Sequence, residues 1–147
     1  SLAARRFAAT PAAMNVKIAD LMAKQVVTVG PHDSLASVRD KMRTKRIGAL
    51  PVVGAQGEAL GIVTSTDLIE ETQAEKVKDV MTDGVHQVPA YNEVSVAAKV
   101  MRKHKIHHVV VTHEKKVVGI LSSFDLLKLL EDKRFTIKSA PTPRAAR

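Results

Sequence analysis

Gly61-Ile62-Val63-Thr64-Ser65-Thr66-Asp67 occurs twice in this chain, the second time as Gly119-Ile120-Leu121-Ser122-Ser123-Phe124-Asp125. Each copy is a short apolar run, a hydroxyl residue, an aspartate three places on, and then the start of a helical pattern. Backbone N–H groups, a hydroxyl and a carboxylate therefore converge at one helix N-terminus. Two readings follow from those residue types. Thr64-x-x-Asp67 and Ser122-x-x-Asp125 fit a capping box, which satisfies orphan N–H groups without any ligand. The same groups also suit an anionic or polar ligand, because a helix start carries free N–H groups and a positive partial charge.

The repetition extends outward from this stretch in both directions. Leu21-Met22 matches Val80-Met81, Met42 matches Met101, Ile47 matches Ile106 and Val52 matches Val111, all at an offset of 59. One residue is lost where Gly54-Ala55-Gln56-Gly57 faces Thr112-His113-Glu114-Lys115, and beyond it the offset is 58. Insertions and deletions collect in loop tips, so this shift marks a hairpin turn. A duplication of this period is the signature of a repeat architecture.

Both copies read alike. Val26–Val29 and Val85–Val88 are short β-rich runs, followed by Pro31 and Pro89. A helix follows, with Leu35, Val38 and Met42 on one face and Ser34 as N-cap. Its counterpart carries Val94, Ala97 and Met101, with Asn92 or Glu93 near the cap. Basic clusters, Arg43–Arg46 and Arg102–Lys105, end these helices and complement the macrodipole. Ile47–Val53 with Leu60–Val63, and Ile106–Val111 with Val117–Leu121, read as antiparallel hairpins buried in a shared sheet. Helices over Asp67–Glu71, extending to Glu75, and over Asp125–Lys133 close the units. The expectation is an α+β fold of two β-α-β-β-α repeats, residues 14–74 and 75–133, covering each other by pseudo-twofold symmetry.

Composition narrows the function. At 147 residues the chain is long enough for one real core, and it has no cysteine for a disulfide or thiolate metal site. No apolar run reaches the length of a membrane span. The net charge of +8 sits in the ends, since 16 basic residues face 15 acidic ones between Met14 and Asp132. Nucleic-acid binding would therefore rest on basic tails rather than on a patterned face. Residues 1–13, Ala-rich and basic, read as a leader or tag-like extension, with an organelle transit peptide as the alternative and a cytoplasmic site otherwise expected. Residues 134–147 read as a flexible basic tail. No nucleophile–base pattern or phosphate-cradling glycine loop points to an enzyme.

With these pieces in this order, the chain resembles the cystathionine-β-synthase (CBS) domain family, as a tandem pair or Bateman module. The resemblance covers residues 16–131. It rests on Ile18–Met22, Ile47–Val53 and Gly61–Leu68, and on Val77–Thr82, Ile106–Val111 and Gly119–Leu126. It implies a non-catalytic regulatory module that binds an adenosine-containing ligand (AMP, ADP, ATP, NAD or S-adenosylmethionine) between the repeats, with AMP or ATP foremost and no required cofactor. Energy sensing, a homodimer forming a four-repeat disc and an unknown regulated protein are implied as well.

The resemblance also implies how the clefts are built, with the adenine end from one repeat and a ribose-binding Asp from the other. The first cleft would combine Val26, Val27, Ile47, Gly48, Ala49 and Pro51 with Ser122, Phe124 and Asp125, and small Gly48 would let a base approach the backbone. His107 and His108 would contact its phosphates, titrating near neutral pH. The second, weaker cleft would combine Val85, His86 and Ile106 with Thr64, Thr66, Asp67 and Thr82. Its adenine end departs from the family pattern, because His107-His108 replaces the small pair. Five histidines fall in the second repeat, yet adjacent strand residues point to opposite faces, so His107 and His108 should not aim at one metal ion. A ligand-free dimerisation module is the alternative from a different class.

Overall fold

The computed structural model describes residues 15–23, 26–70 and 73–131. The leader, the C-terminal tail and the basic-tail reading of nucleic-acid binding lie outside the described residues. The elements are α1 (Ile18–Leu21), α2 (Leu35–Lys45), β1 (Ala49–Val53), β2 (Ala59–Thr64) and α3 (Ser65–Glu70). After a 3-10 turn at Val77–Asp79 come β3 (Gln87–Pro89), α4 (Val94–His104), β4 (His108–His113) and β5 (Lys116–Ser122). A second 3-10 turn, Asp125–Leu127, runs into α5 (Lys128–Glu131).

The two long helices form for the reasons their sequences give. Leu35, Val38 and Met42 are buried on one stripe of α2, and Val94, Ala97 and Met101 on one stripe of α4. Ser34 Oγ accepts from Ser37 N at 3.1 Å, a side-chain N-cap. Glu93 occupies the matching position in α4 without such a bond. There the Val94 N–H is met instead by the Val16 carbonyl at 2.9 Å. Both helices end on a left-handed residue, Arg46 and Lys105, each with φ of 54°.

The strands form two sheets rather than the single shared sheet expected. β1 and β2 make a two-stranded antiparallel hairpin, while β3, β4 and β5 make a three-stranded sheet with β3 parallel to β4. The counterpart of β3 in the first repeat is reduced to one parallel bridge, Val29 with Val52. Both hairpins carry a register shift near the tip, at Val52/Val53 and at Val111/Thr112. The lost residue leaves a two-residue turn in the second hairpin, Glu114-Lys115, with φ of 50° and 68°. Two consecutive positive values are the type I′ geometry that matches strand twist. Helix α3 begins at Ser65, earlier than expected, and Glu75 lies in an extended link, its carbonyl accepting from Leu35 N at 3.1 Å.

The cores interlock. Val29, Leu35, Val38, Leu50, Val52 and Val63 of the first repeat are buried together with Val77 from the start of the second. Val88, Val94, Ala97, Val109, Val111 and Leu121 of the second are buried with Ile18 and Leu21 from the start of the first. Backbone bonds mirror this exchange: Ile18 N donates to Asn92 O and Ala19 N to Ala90 O, as Val77 N donates to Asp33 O and Lys78 N to Pro31 O. Each repeat's leading segment therefore completes the other repeat's core.

A cleft between the repeats

The opening motif folds as a cap in both copies. Thr64 N donates to Asp67 Oδ2 at 2.8 Å, and Asp67 N donates back to Thr64 Oγ1 at 3.3 Å. Ser122 N donates to Asp125 Oδ2 at 2.9 Å, and Asp125 N to Ser122 Oγ at 3.1 Å. The reciprocal pairs satisfy two orphan groups at each turn into a helix. The remaining oxygens differ. Asp125 Oδ1 is held by Lys128 Nζ at 3.4 Å. Asp67 Oδ1 has no protein partner among the described residues, so one acceptor stays available on the first-repeat copy.

The hairpin ends are tied in the same way in both repeats. Ser65 N donates to Gly48 O at 2.9 Å, and Ser123 N to His107 O at 2.8 Å. These bonds bring Gly48 and His107, the residues leading into β1 and β4, against the motif. Between them opens a cleft of about 500 Å³, within the size range of small-molecule sites. The first repeat contributes Gly48, Ile62, Thr64, Ser65 and Thr66; the link contributes Thr82, Gly84, Val85 and His86; the second repeat contributes Ile106, His107, His108 and Val110. Ile62, Val85, Ile106 and Val110 make apolar walls, and four hydroxyls and three imidazoles supply polarity.

This cleft is the second of the two groupings named from the sequence. Val85, His86, Ile106, Thr64, Thr66 and Thr82 all line it, with Asp67 tied directly behind Thr64. Gly48, His107 and His108, assigned to the other grouping, line it too. His107 precedes the regular strand, so it and His108 reach one cavity despite being adjacent. Ile62, Ser65, Gly84 and Val110 were not singled out. Ile62 shares a strand face with Thr64, and Val110 with His108, so a two-residue period identifies both. A Cβ on Gly48 would stand 3.5 Å from Ser65 Oγ, an ordinary contact, so glycine here leaves room without being required.

The first grouping is arranged differently. Val26 is 44% exposed, and Val27 joins Thr28, Lys41 and Lys45 in an open groove. Ala49 and Pro51 are buried in β1, and Ile47 packs against the first-repeat core. Ser122 and Asp125 are half-buried, while Phe124 is 76% exposed. Residues 24 and 25, the counterparts of Asp83 and Gly84, lie outside the described residues.

The imidazoles set the electrostatics. His108 titrates below its ordinary value, through loss of solvent first and then repulsion from His107, with Asp125 opposing both. His86 stacks on His104 at the end of α4, ring centroids 3.9 Å apart and planes 23° from parallel. His104 also titrates low, from loss of solvent, then His86, then Lys103. His107 Nδ1 lies 3.3 Å from Ser123 Oγ. Among the described residues no group of three His, Asp or Glu side chains is placed to hold a metal ion. Stacked rings keep their nitrogen lone pairs in parallel planes, which does not converge on one ion.

The comparisons with known proteins agree with this architecture. The CBS domain model matches residues 18–73 and 77–132. The chain is 34% identical over 116 residues to an inosine-5'-monophosphate dehydrogenase of Methanocaldococcus jannaschii, covering 77% of this chain but 23% of that enzyme. It is 33% identical to the uncharacterized protein YlbB of Bacillus subtilis, covering 75% of this chain and 79% of YlbB. Among solved structures it is similar to the CBS domain pair of protein MJ0100 in complex with 5'-methylthioadenosine and S-adenosyl-L-methionine. That likeness has a TM-score of 0.73 at 26% identity, over 79% of this chain and 96% of the other. A CBS domain from a membrane protein of Sphaerobacter thermophilus gives a TM-score of 0.72 at 30% identity, over 87% and 96%. Among the described residues no helix is long and apolar enough to cross a membrane.

Proposed function

This chain belongs to the CBS domain family as two such domains in tandem, and on that premise we propose that it is a non-catalytic regulatory module for an adenosine-containing ligand. The ligand occupies the cleft between the repeats. Its base lies between Ile62, Val85, Ile106 and Val110, and its ribose reaches Asp67. The single observation that carries this reading is the apolar cleft of about 500 Å³ beside a carboxylate whose Oδ1 has no protein partner among the described residues. The adenosyl ligands of the MJ0100 pair support the ligand class.

Occupancy acts through differential affinity. The cleft is walled by both repeats, so a ligand that touches both walls favours one packing of the repeats and shifts the population toward it. The output is read by a partner or by a larger parent chain; the inosine-5'-monophosphate dehydrogenase relative extends far beyond the region this chain matches.

Calorimetric titration with AMP, ATP, NAD and S-adenosylmethionine tests the reading. At least one should bind, and Asp67→Asn should weaken it more than Asp125→Asn. No heat and no thermal shift with all four would overturn it. One observation favours association of copies as an accompanying role: Ile69, Phe124 and Leu130 are 78%, 76% and 82% exposed on or beside the short closing helices. A chain whose mass in solution is that of a monomer at all concentrations would remove that role.

A further inference from the structure

The chain carries five methionines and no cysteine, so thioethers are its only sulfur. The four among the described residues fall into two pairs, each related by the offset of 59. Met42 and Met101 are buried in the helix stripes of the two cores. Met22 and Met81 are half-buried, and each packs against the core of the opposite repeat, at the seam where a leading segment crosses over. The Met81 sulfur sits where Gly61 has no side chain. A Cβ on Gly61 would stand 2.9 Å from Met81 Sδ and 2.6 Å from the Thr82 carbonyl oxygen, so sulfur and carbonyl border one notch in β2.

The backbone on either side of this sulfur is fixed. Met81 N donates to Val77 O at 2.9 Å, and Thr82 exchanges two bonds with Ile62. Val77 is itself fully buried, so Met81 cannot retreat from the notch together with its backbone. Thr82, the next residue, lines the cleft and begins the link that carries Gly84, Val85 and His86. We propose that Met81 is an oxidation site through which a peroxide loosens this seam and weakens the cleft above it. In the step, a thioether lone pair attacks one oxygen of hydrogen peroxide and the O–O bond breaks. The proton on the transferred oxygen passes to the departing hydroxide, which leaves as water; sulfur loses two electrons and the peroxide gains them.

The sulfoxide so formed is polar and only accepts hydrogen bonds. Kept against Gly61, it faces the Thr82 carbonyl, a second acceptor, and a buried acceptor without a donor is destabilising. Turned out to water, it leaves the notch beside Gly61 without its filling atom, and those contacts are lost. Either outcome removes the packing beside the Ile62–Thr82 pair. Met22 makes the corresponding contact with Gly119, but Ala23, the residue after it, does not line the cleft. Oxidation of Met22 should therefore lower stability and leave the cleft as it was. The site goes beyond the adenosyl reading, and only the affinity readout below rests on that reading.

The test is treatment of the whole folded chain with hydrogen peroxide, followed by peptide mass spectrometry, Tm and, once the peroxide is removed, calorimetry with AMP and S-adenosylmethionine. Met81 should gain one oxygen several-fold faster than Met42 and Met101. The oxidised chain should show a lower Tm and a several-fold weaker affinity for whichever of the two ligands binds the untreated chain. Met81→Leu, close in volume, should keep its affinity through the same treatment, whereas Met22→Leu should lose it as the wild type does. Should Met81→Leu not fold, reversal of both effects by methionine sulfoxide reductase takes its place. Oxidation of Met81 no faster than that of Met101, or an unchanged Tm in a chain oxidised at Met81, would overturn the proposal. So would an equal loss of affinity in Met81→Leu. If neither ligand binds the untreated chain, the adenosyl reading falls, and the oxidation rates and Tm decide the Met81 site by themselves.

Discussion

Ile62 and Thr82 exchange two backbone hydrogen bonds, each of 2.9 Å, and this reciprocal pair stitches the first repeat to the link that carries the far side of the cleft. Gly61 lies against the same link. A Cβ there would stand 2.6 Å from the Thr82 carbonyl oxygen and 2.9 Å from Met81 Sδ. At the matching Gly119, the nearest atoms a Cβ would meet belong to the Met22 side chain, with Sδ at 3.0 Å. A thioether can swing away; the carbonyl of a residue whose N–H and C=O are both hydrogen-bonded to Ile62 cannot. Gly61→Ala should therefore cost about 1–3 kcal/mol, the usual range for overpacking, and Gly119→Ala clearly less. Urea unfolding of both variants measures the difference, and equal losses would contradict the assignment.

The interlocked cores predict how stability is shared. Ile18 is fully buried, yet it belongs to the second repeat's core and not to the one its sequence position suggests. Ile18→Ala should cost about 2–5 kcal/mol, as buried large-to-small changes do. The loss should come as a downward shift of a single transition, because removing the segment uncovers one core while Val77 still bridges to the other. Two separate transitions by circular dichroism in the wild type would show that the repeats fold independently.

The caps give a third expectation. Thr64→Ala and Ser122→Ala each remove a hydroxyl that accepts an N–H at the start of a closing turn. Each should cost ~1 kcal/mol, seen as a drop in Tm. Only Thr64→Ala should also alter nucleotide affinity, since Thr64 lines the cleft and orients Asp67. If Ser122→Ala weakened binding equally, the ligand would have to lie on the other grouping.

Much of this was legible because it is periodic. The stripes Leu35-Val38-Met42 and Val94-Ala97-Met101, the paired hairpins and the doubled capping box each announce themselves through spacing, and all formed. The exchange of leading segments was not legible. A four-residue helix such as Ile18–Leu21 carries too little pattern to say which core it enters. Nor were the left-handed caps at Arg46 and Lys105, where no glycine marks the turn. At the site, His107-His108 stands where the family pattern has a small pair, and that departure alone does not say whether the two side chains close a cleft or line it. In the fold the two side chains border the cavity from one strand end and help enclose it. Ile62 and Val110, with the apolar character of core residues, line it from the strands.

His108 offers the last test, through pH. Burial and His107 hold its protonation below the ordinary value of 6.5, so the folded chain binds fewer protons there than the unfolded chain. Its contribution to stability is fully present above 6.5 and is lost as pH falls through that value toward the folded one. The unliganded wild type should therefore lose more Tm on acidification from about pH 7.5 to 5.5, spanning the imidazole range, than His108→Gln does. Saturating AMP should act in the opposite sense, because a phosphate beside the ring stabilises its protonated form. The gap between wild type and variant should narrow or reverse in its presence. A gap that persists unchanged with AMP bound would place the phosphate away from His108.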